Sequence, residues 1–248
     1  MRRDHVAFDS PVAGWRGSMA VYGHFGRPVL VFPAEDGRAW DFEDRGMLEA
    51  VRWLLDAGRV KIYCIDSFDA ATWSNDSLPI EERARRHDDY EGWLLDTVLP
   101  WIDADCGGAG QEVMTVGVSL GAFHAVNIAL RHADRFPLAI GLSGNYDPAS
   151  WSAWGDRGDA AYFHNPMDYV AHLGGGHLDW LRSQISVLLV CGQGQWEDTT
   201  GSLDSTKRLA DLLAQKEIRH ELDLWGHDVP HDWPSWQRQF AHHLPRFC

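Results

Sequence analysis

The chain of 248 residues lacks any apolar run approaching the length that a bilayer-spanning helix needs. It also lacks a basic run: its formal charge is −14, with 36 acidic side chains against 22 Lys and Arg. That balance argues against nucleic acid and anionic membrane surfaces as partners. Cysteine is scarce, and Cys64, Cys106, Cys191 and Cys248 show neither metal-binding nor redox spacing. Two arginines near the start are followed by no apolar stretch, so this segment does not read as a secretory signal. These absences lead to the expectation of a cytoplasmic protein with reduced thiols. Repeats, low-complexity tracts and linkers are missing too. The length then suits one α/β domain over residues 1–248, large enough for a sizeable core.

What is present alternates. Residues 18–22, 29–32, 60–65, 113–118, 138–142, 187–191 and 221–225 read as strands. Helical spacing covers 42–57, 79–102, 120–132, 203–216 and 233–244. In the helix over 79–102, Arg83, Arg85, Arg86 and His87 are expected on exposed turns. Strands alternating with helices predict a mostly parallel central sheet with helices on both faces, and ligands at its carboxyl edge. One irregular stretch, 144–182, predicts a short lid or pocket wall.

The most specific motif is Gly117-Val118-Ser119-Leu120-Gly121, set between an apolar strand and a helix. That context marks a nucleophile elbow. Bulky side chains at its first and last positions would collide across so tight a turn. Ser119 then projects above the sheet, and the N–H of Leu120 points at an oxyanion formed beside it.

A serine nucleophile needs a carboxylate and a histidine, each on a later loop that follows a strand. After 187–191 comes Gly192-Gln193-Gly194-Gln195-Trp196-Glu197-Asp198, offering Glu197 or Asp198 as the acid. After 221–225 comes a loop with His227 and His231, and His231 is the expected base. The same two histidines form an H-x-x-x-H pair. Gly226 and Pro230 argue for a loop, and no zinc-protease glutamate is present, so no metal is expected. A second oxyanion donor is expected from the loop 33–37, as a backbone N–H of Ala34, Glu35 or Asp36. Two acidic residues there are unusual beside a developing negative charge. The 13 tryptophans suggest aromatic pocket walls; the candidates are Trp151, Trp154, Tyr162, Phe163 and Trp196. The roles of His124 and His227 are not readable.

Three segments together, 117–121, 191–197 and His231-Asp232-Trp233-Pro234-Ser235-Trp236, resemble the esterase branch of the α/β hydrolases. That group includes S-formylglutathione hydrolases (esterase D), feruloyl and acetyl-xylan esterases, enterochelin esterases and mycolyltransferases. The resemblance implies the α/β-hydrolase fold, places the base at His231, and favours Glu197 over Asp198 as the acid. The loop 33–37 departs from it, since relatives more often have small residues there. The expected activity is a serine esterase acting on a small-molecule carboxylic ester or thioester through an acyl-enzyme on Ser119, with no cofactor. The alternatives are an acyltransferase using the same three residues, or a non-catalytic binding protein on this fold. A homo-oligomer is compatible with the sequence but not readable from it.

Overall fold

The computed structural model describes residues 2–9, 16–108 and 110–248. Its strands are β1 (Arg3–Asp9), β2 (Arg16–Tyr22), β3 (Arg27–Phe32), β4 (Val60–Ile65), β5 (Met114–Val118), β6 (Leu138–Leu142), β7 (Ser186–Cys191) and β8 (His220–Leu224). The first helices are α1 (Asp41–Asp44), α2 (Met47–Ala50), α3 (Arg52–Asp56), α4 (Ile80–Trp93), α5 (Leu99–Asp105) and α6 (Leu120–Arg131). They are followed by α7 (Asp159–Phe163), α8 (Pro166–His172), α9 (Gly175–Gln184), α10 (Ser202–Gln215) and α11 (Trp233–His243).

The eight strands form one sheet in the order β1-β2-β4-β3-β5-β6-β7-β8. The first two pairings are antiparallel and all later ones parallel. The central strands are apolar on both faces, so each face needs a cover. One is closed by α4, α6 and α10 over a core that includes Phe123, Tyr90 and Leu209. The other is closed by α2, α3 and α11 over Phe42, Leu54 and Phe240. This is the α/β-hydrolase fold that the sequence predicts.

Four details differ from the sequence expectations. Strand β1 was not foreseen: it is polar at alternate positions and lies at the sheet edge, partly buried on one side only. The helix expected over 42–57 is three short ones, interrupted where Gly46 adopts φ 72°. The helix expected over 79–102 contains a wide π turn, Leu94–Val98, immediately before α5, where Pro100 has no N–H to donate. Arg83 and His87, expected on exposed turns, are buried. Arg83 can lie inside because Leu78 and Trp73 carbonyls and the Asp76 carboxylate accept its guanidinium. His87 packs between Trp73, Phe123 and His164. The stretch 144–182 forms α7, α8 and most of α9; α7 packs on α4 and α8 on α10.

Glu91 ties α4 to the end of α6. Its Oε1 accepts from Arg131 Nε at 3.0 Å and from His132 Nε2 at 2.9 Å. Burial alone pushes this carboxyl up, but the His132 bond and the Arg131 charge overcome that and hold it at about 2. A carboxyl held below its ordinary value stabilises the fold above that value, and the gain is lost as pH falls through the lowered one. Glu91→Gln is therefore expected to lower the melting temperature at neutral pH and to flatten its decline between about pH 4.5 and 2. Thermal melts across that range check this. Parallel curves for the two proteins would contradict it.

Candidate active site

The turn from β5 into α6 leaves no room for side chains on either side of Ser119. A Cβ on Gly117 would lie 1.9 Å from the Gly121 carbonyl oxygen, and one on Gly121 would lie 2.0 Å from that of Pro33. Ser119 itself takes φ 55° and ψ −123°, a strained conformation for a residue with a Cβ. The second contact shows that the elbow is also packed against the loop after β3.

Ser119 Oγ lies 3.0 Å from His231 Nε2, and His231 Nδ1 lies 3.0 Å from Glu197 Oε2. With Nδ1–H donating to Glu197, Nε2 presents a lone pair to the serine hydroxyl. Glu197 is fully buried, and each oxygen has two donors. Oε1 accepts from Ser143 Oγ at 2.6 Å and Gly192 N at 3.3 Å, while Oε2 accepts from His231 and from Cys191 Sγ at 3.4 Å. Burial and the Glu197 charge push the Cys191 thiol well up, so it stays protonated as a donor. Asp198 is exposed, and among the described residues its carboxylate accepts only from the Thr199 N–H.

His231 is positioned by the residues that follow it. Asp232 caps α11 by accepting the Ser235 N–H at 2.9 Å, and Pro234 occupies the first turn of that helix. The Trp236 ring stands edge-on to the imidazole, 5.0 Å away. The His231 N–H donates to the Gln195 carbonyl, tying its loop to the one that carries Glu197. His227 is exposed, with Nδ1 near the Gln193 carbonyl, so the two histidines do not combine.

Two buried aspartates after β4 hold the chain at residues 36 and 39, the end of the loop 33–37 and the segment just beyond it. Asp66 accepts from the N–H groups of Ala39 at 2.9 Å and Ser18 at 2.8 Å. Asp69 accepts the Asp36 N–H at 3.1 Å. The Asp36 amide is thus spent, whereas among the described residues the N–H groups of Ala34, Glu35 and Leu120 have no acceptor. Burial, then the carboxyls of Asp69 and Glu35, push the Asp36 carboxyl up.

Ser119 and Leu120 open onto a pocket of about 340 Å³. Trp73 and Trp151 form aromatic walls, and Glu35, Asp76, Asn145, Ser152 and Thr200 give it a polar lining. Of the expected wall residues only Trp151 is there. Trp154 and Trp196 are about half exposed. Trp154 is turned outward by its Nε1–H, which donates to the Asp76 carbonyl. Tyr162 and Phe163 line a separate pocket of about 370 Å³ with Arg131, His132 and His172. Trp73, Asp76 and Asn145 were not among the expected wall residues: the first two reach the pocket from the loop after β4 and the third from the loop after β6, and no local pattern links those loops.

A metal could be sought at His87, Glu91 and His164, buried residues with one ligand atom each within 4.8 Å of the others. Two of these three residues are already engaged by other side chains. Glu91 already bears the Arg131 guanidinium, and His164 is held by Asp88 and Asn127. Burial, with His164, His124 and Arg131 nearby, keeps the His87 imidazole well below its ordinary range and therefore uncharged.

Known proteins agree with this architecture. The solved structure of a ferulic acid esterase is similar at TM-score 0.75 and 16% identity, over 99% of this chain and 96% of that one. MPT51 from Mycobacterium tuberculosis is similar at 0.74 and 15%, over 99% and 97%. An S-formylglutathione hydrolase from Agrobacterium tumefaciens is similar at 0.73 and 17%, over 98% and 93%. At such identities the likeness establishes the fold. No curated protein sequence matches this one. The family model described as "Putative esterase" matches residues 43–247, a span that contains Ser119, Glu197 and His231, and the chain belongs to that esterase family of hydrolases.

Proposed function

We propose that the protein hydrolyses carboxylic esters or thioesters through an acyl-enzyme on Ser119. The observation that carries this reading is the chain of contacts from Ser119 Oγ through His231 to Glu197 at the edge of an open pocket. Ser119 Oγ attacks the carbonyl carbon while His231 Nε2 takes its proton. The tetrahedral oxyanion is held by the N–H of Leu120 and that of Ala34 or Glu35. The bond to the leaving oxygen or sulfur then breaks, and His231 passes its proton to that atom. Water, deprotonated by His231, attacks the acyl-enzyme and releases the acid and Ser119. Glu197 holds the Nδ1–H tautomer and balances the imidazolium charge.

The acid–histidine–serine order and the family match support this reading. Acyl transfer to an alcohol shares every step up to the acyl-enzyme, and products formed with a competing alcohol distinguish the two. A cytoplasmic location is proposed on the four free cysteines.

A fluorophosphonate is expected to label Ser119 alone, and Ser119→Ala to abolish both labelling and turnover with an unchanged melting temperature. Peptide mass spectrometry checks the site; adduct on any other residue would remove Ser119 from the role.

Glu197→Gln is expected to lower kcat by on the order of 10³ or more, because the imidazole loses its tautomer control. Asp198→Asn leaves kcat within about threefold, since an exposed side chain away from the imidazole does not set its tautomer. His231→Ala abolishes turnover, and His227→Ala retains most of it. Steady-state kinetics of the four variants test the assignment, and the reverse ranking within either pair would overturn it.

Trp151→Ala is expected to change the relative kcat/KM across esters of graded acyl length, and Trp154→Ala to leave those ratios as they are. A series of p-nitrophenyl esters provides the measurement. Equal effects of the two substitutions would rule out Trp151 as a specificity wall.

A further inference from the structure

We propose that Asp69 and His124 are positioning residues for the oxyanion-binding loop, acting through the amide of Asp36. The proposal rests on the acyl-enzyme reading above and adds to it the device that fixes the second oxyanion donor.

Both side chains are buried, at 1% and 2% exposure, and they come from elements far apart in sequence. Asp69 Oδ1 lies 2.8 Å from His124 Nε2, and Oδ2 accepts the Asp36 N–H at 3.1 Å. His124 sits on α6, the helix that Ser119 opens. Its ring also stacks on Phe32, the last residue of β3, with centroids 5.9 Å apart. One continuous path therefore runs from the nucleophile along the first turns of α6, through the imidazole and the carboxyl group, to the loop. The same histidine touches the strand that delivers that loop.

The path ends at Asp36, which adopts φ 55°. Aspartate tolerates such a conformation better than most non-glycine residues, and a fixed partner on its N–H selects it. The Asp69 bond does so here, and it fixes the direction of the two preceding N–H groups, those of Ala34 and Glu35. Donors held in place before the reaction stabilise the oxyanion without reorganisation at the moment it forms.

An imidazole at position 124 is otherwise a poor choice. Its neighbours are Phe32, His87, Tyr90 and Phe123, and among the described residues its Nδ1 has no partner. A buried unpaired polar atom is destabilising, so packing alone favours a phenylalanine. The bond to Asp69 is what the imidazole supplies and a phenyl ring cannot.

The test uses Asp69→Ala, Asp69→Asn and His124→Phe, read by ester kinetics, melting temperature and affinity for an alkylboronic acid, which forms a tetrahedral adduct with the serine. Loss of an oxyanion donor costs about 10² to 10³ in kcat, so a donor left in place but loosened is expected to cost about 10 to 10² in Asp69→Ala. KM should stay within about threefold, and boronic acid affinity should fall in step with kcat, because only the tetrahedral state uses the donor. Asp69→Asn keeps an oxygen for the Asp36 N–H and should recover most of the loss. His124→Phe keeps the packing and should lose about 3- to 10-fold in kcat, a fraction of one donor's worth. If Asp69→Ala fails to fold, His124→Phe decides the matter. The proposal is overturned if folded Asp69→Ala or His124→Phe keeps wild-type kcat, or if KM rises while boronic acid affinity is unchanged. A wild-type protein without ester turnover or Ser119 labelling overturns the acyl-enzyme reading and this proposal with it; an active wild type with indifferent variants overturns this proposal alone.

Discussion

The close approach of three backbone segments at the elbow governs the rest of the site. Gly117, Gly121 and the carbonyls of Phe32 and Pro33 meet with no space for a single added methyl group. This contact does more than expose a serine. It fixes the end of β5 relative to the end of β3, and so sets Ser119, the proposed nucleophile, against the loop that faces it. A reacting carbonyl must be met by the serine from one side and by N–H donors from another. Both requirements are referred to one sterically determined junction.

Around that junction the protein solves a second problem, which is how to keep carboxyl groups inside a core. Glu197, Asp66 and Asp69 are each almost fully buried. Burial without partners would push them toward the neutral form. Instead, each accepts from N–H, O–H or S–H donors on neighbouring strands, helices and loops. The donors and the acids therefore hold one another. Glu197 fixes His231 and the strand-end residues Ser143 and Gly192, while Asp66 and Asp69 fix residues 36–39. The loops of the site need no regular structure of their own, since their amides are tied to buried acids.

The sequence is most legible where the determining contacts are local. Strand–helix alternation reports burial within each element, and the elbow is encoded in five consecutive residues. His231 could be chosen over His227 because His227 directly follows Gly226 at the strand end, while His231 lies further along the loop with Pro230 before it and Trp233 and Trp236 after it, as the family resemblance also implies. The less legible features depend on what lies across space. Arg83 reads as an exposed helical charge, but carbonyls brought in from residues 73 and 78 make it an interior one. Trp151 and Trp154 are equivalent by composition, yet one packs edge-on against Trp73 and the other turns outward to bond the Asp76 carbonyl. Asp69 and His124 are separated by 55 positions, and no pattern in either segment links them. Strand β1 was unread because a polar edge strand carries a weak apolar alternation.

The loop 33–37 carries two acidic residues beside the proposed oxyanion site, and it lies before residue 43, where the family match begins. The residues that hold it do not. Asp66, Asp69, His124 and Gly121 all fall inside the matched span. The composition of the loop can therefore differ while its path is set from outside by two carboxyl groups, a stacked imidazole and a glycine contact. What the surrounding fold determines is the direction of the backbone N–H groups, which do not depend on side-chain identity. Glu35 and Asp36 are tolerated beside a site for developing negative charge on these terms. Their main-chain amides serve the loop geometry, while the Glu35 side chain accepts from Ser74 on the pocket wall.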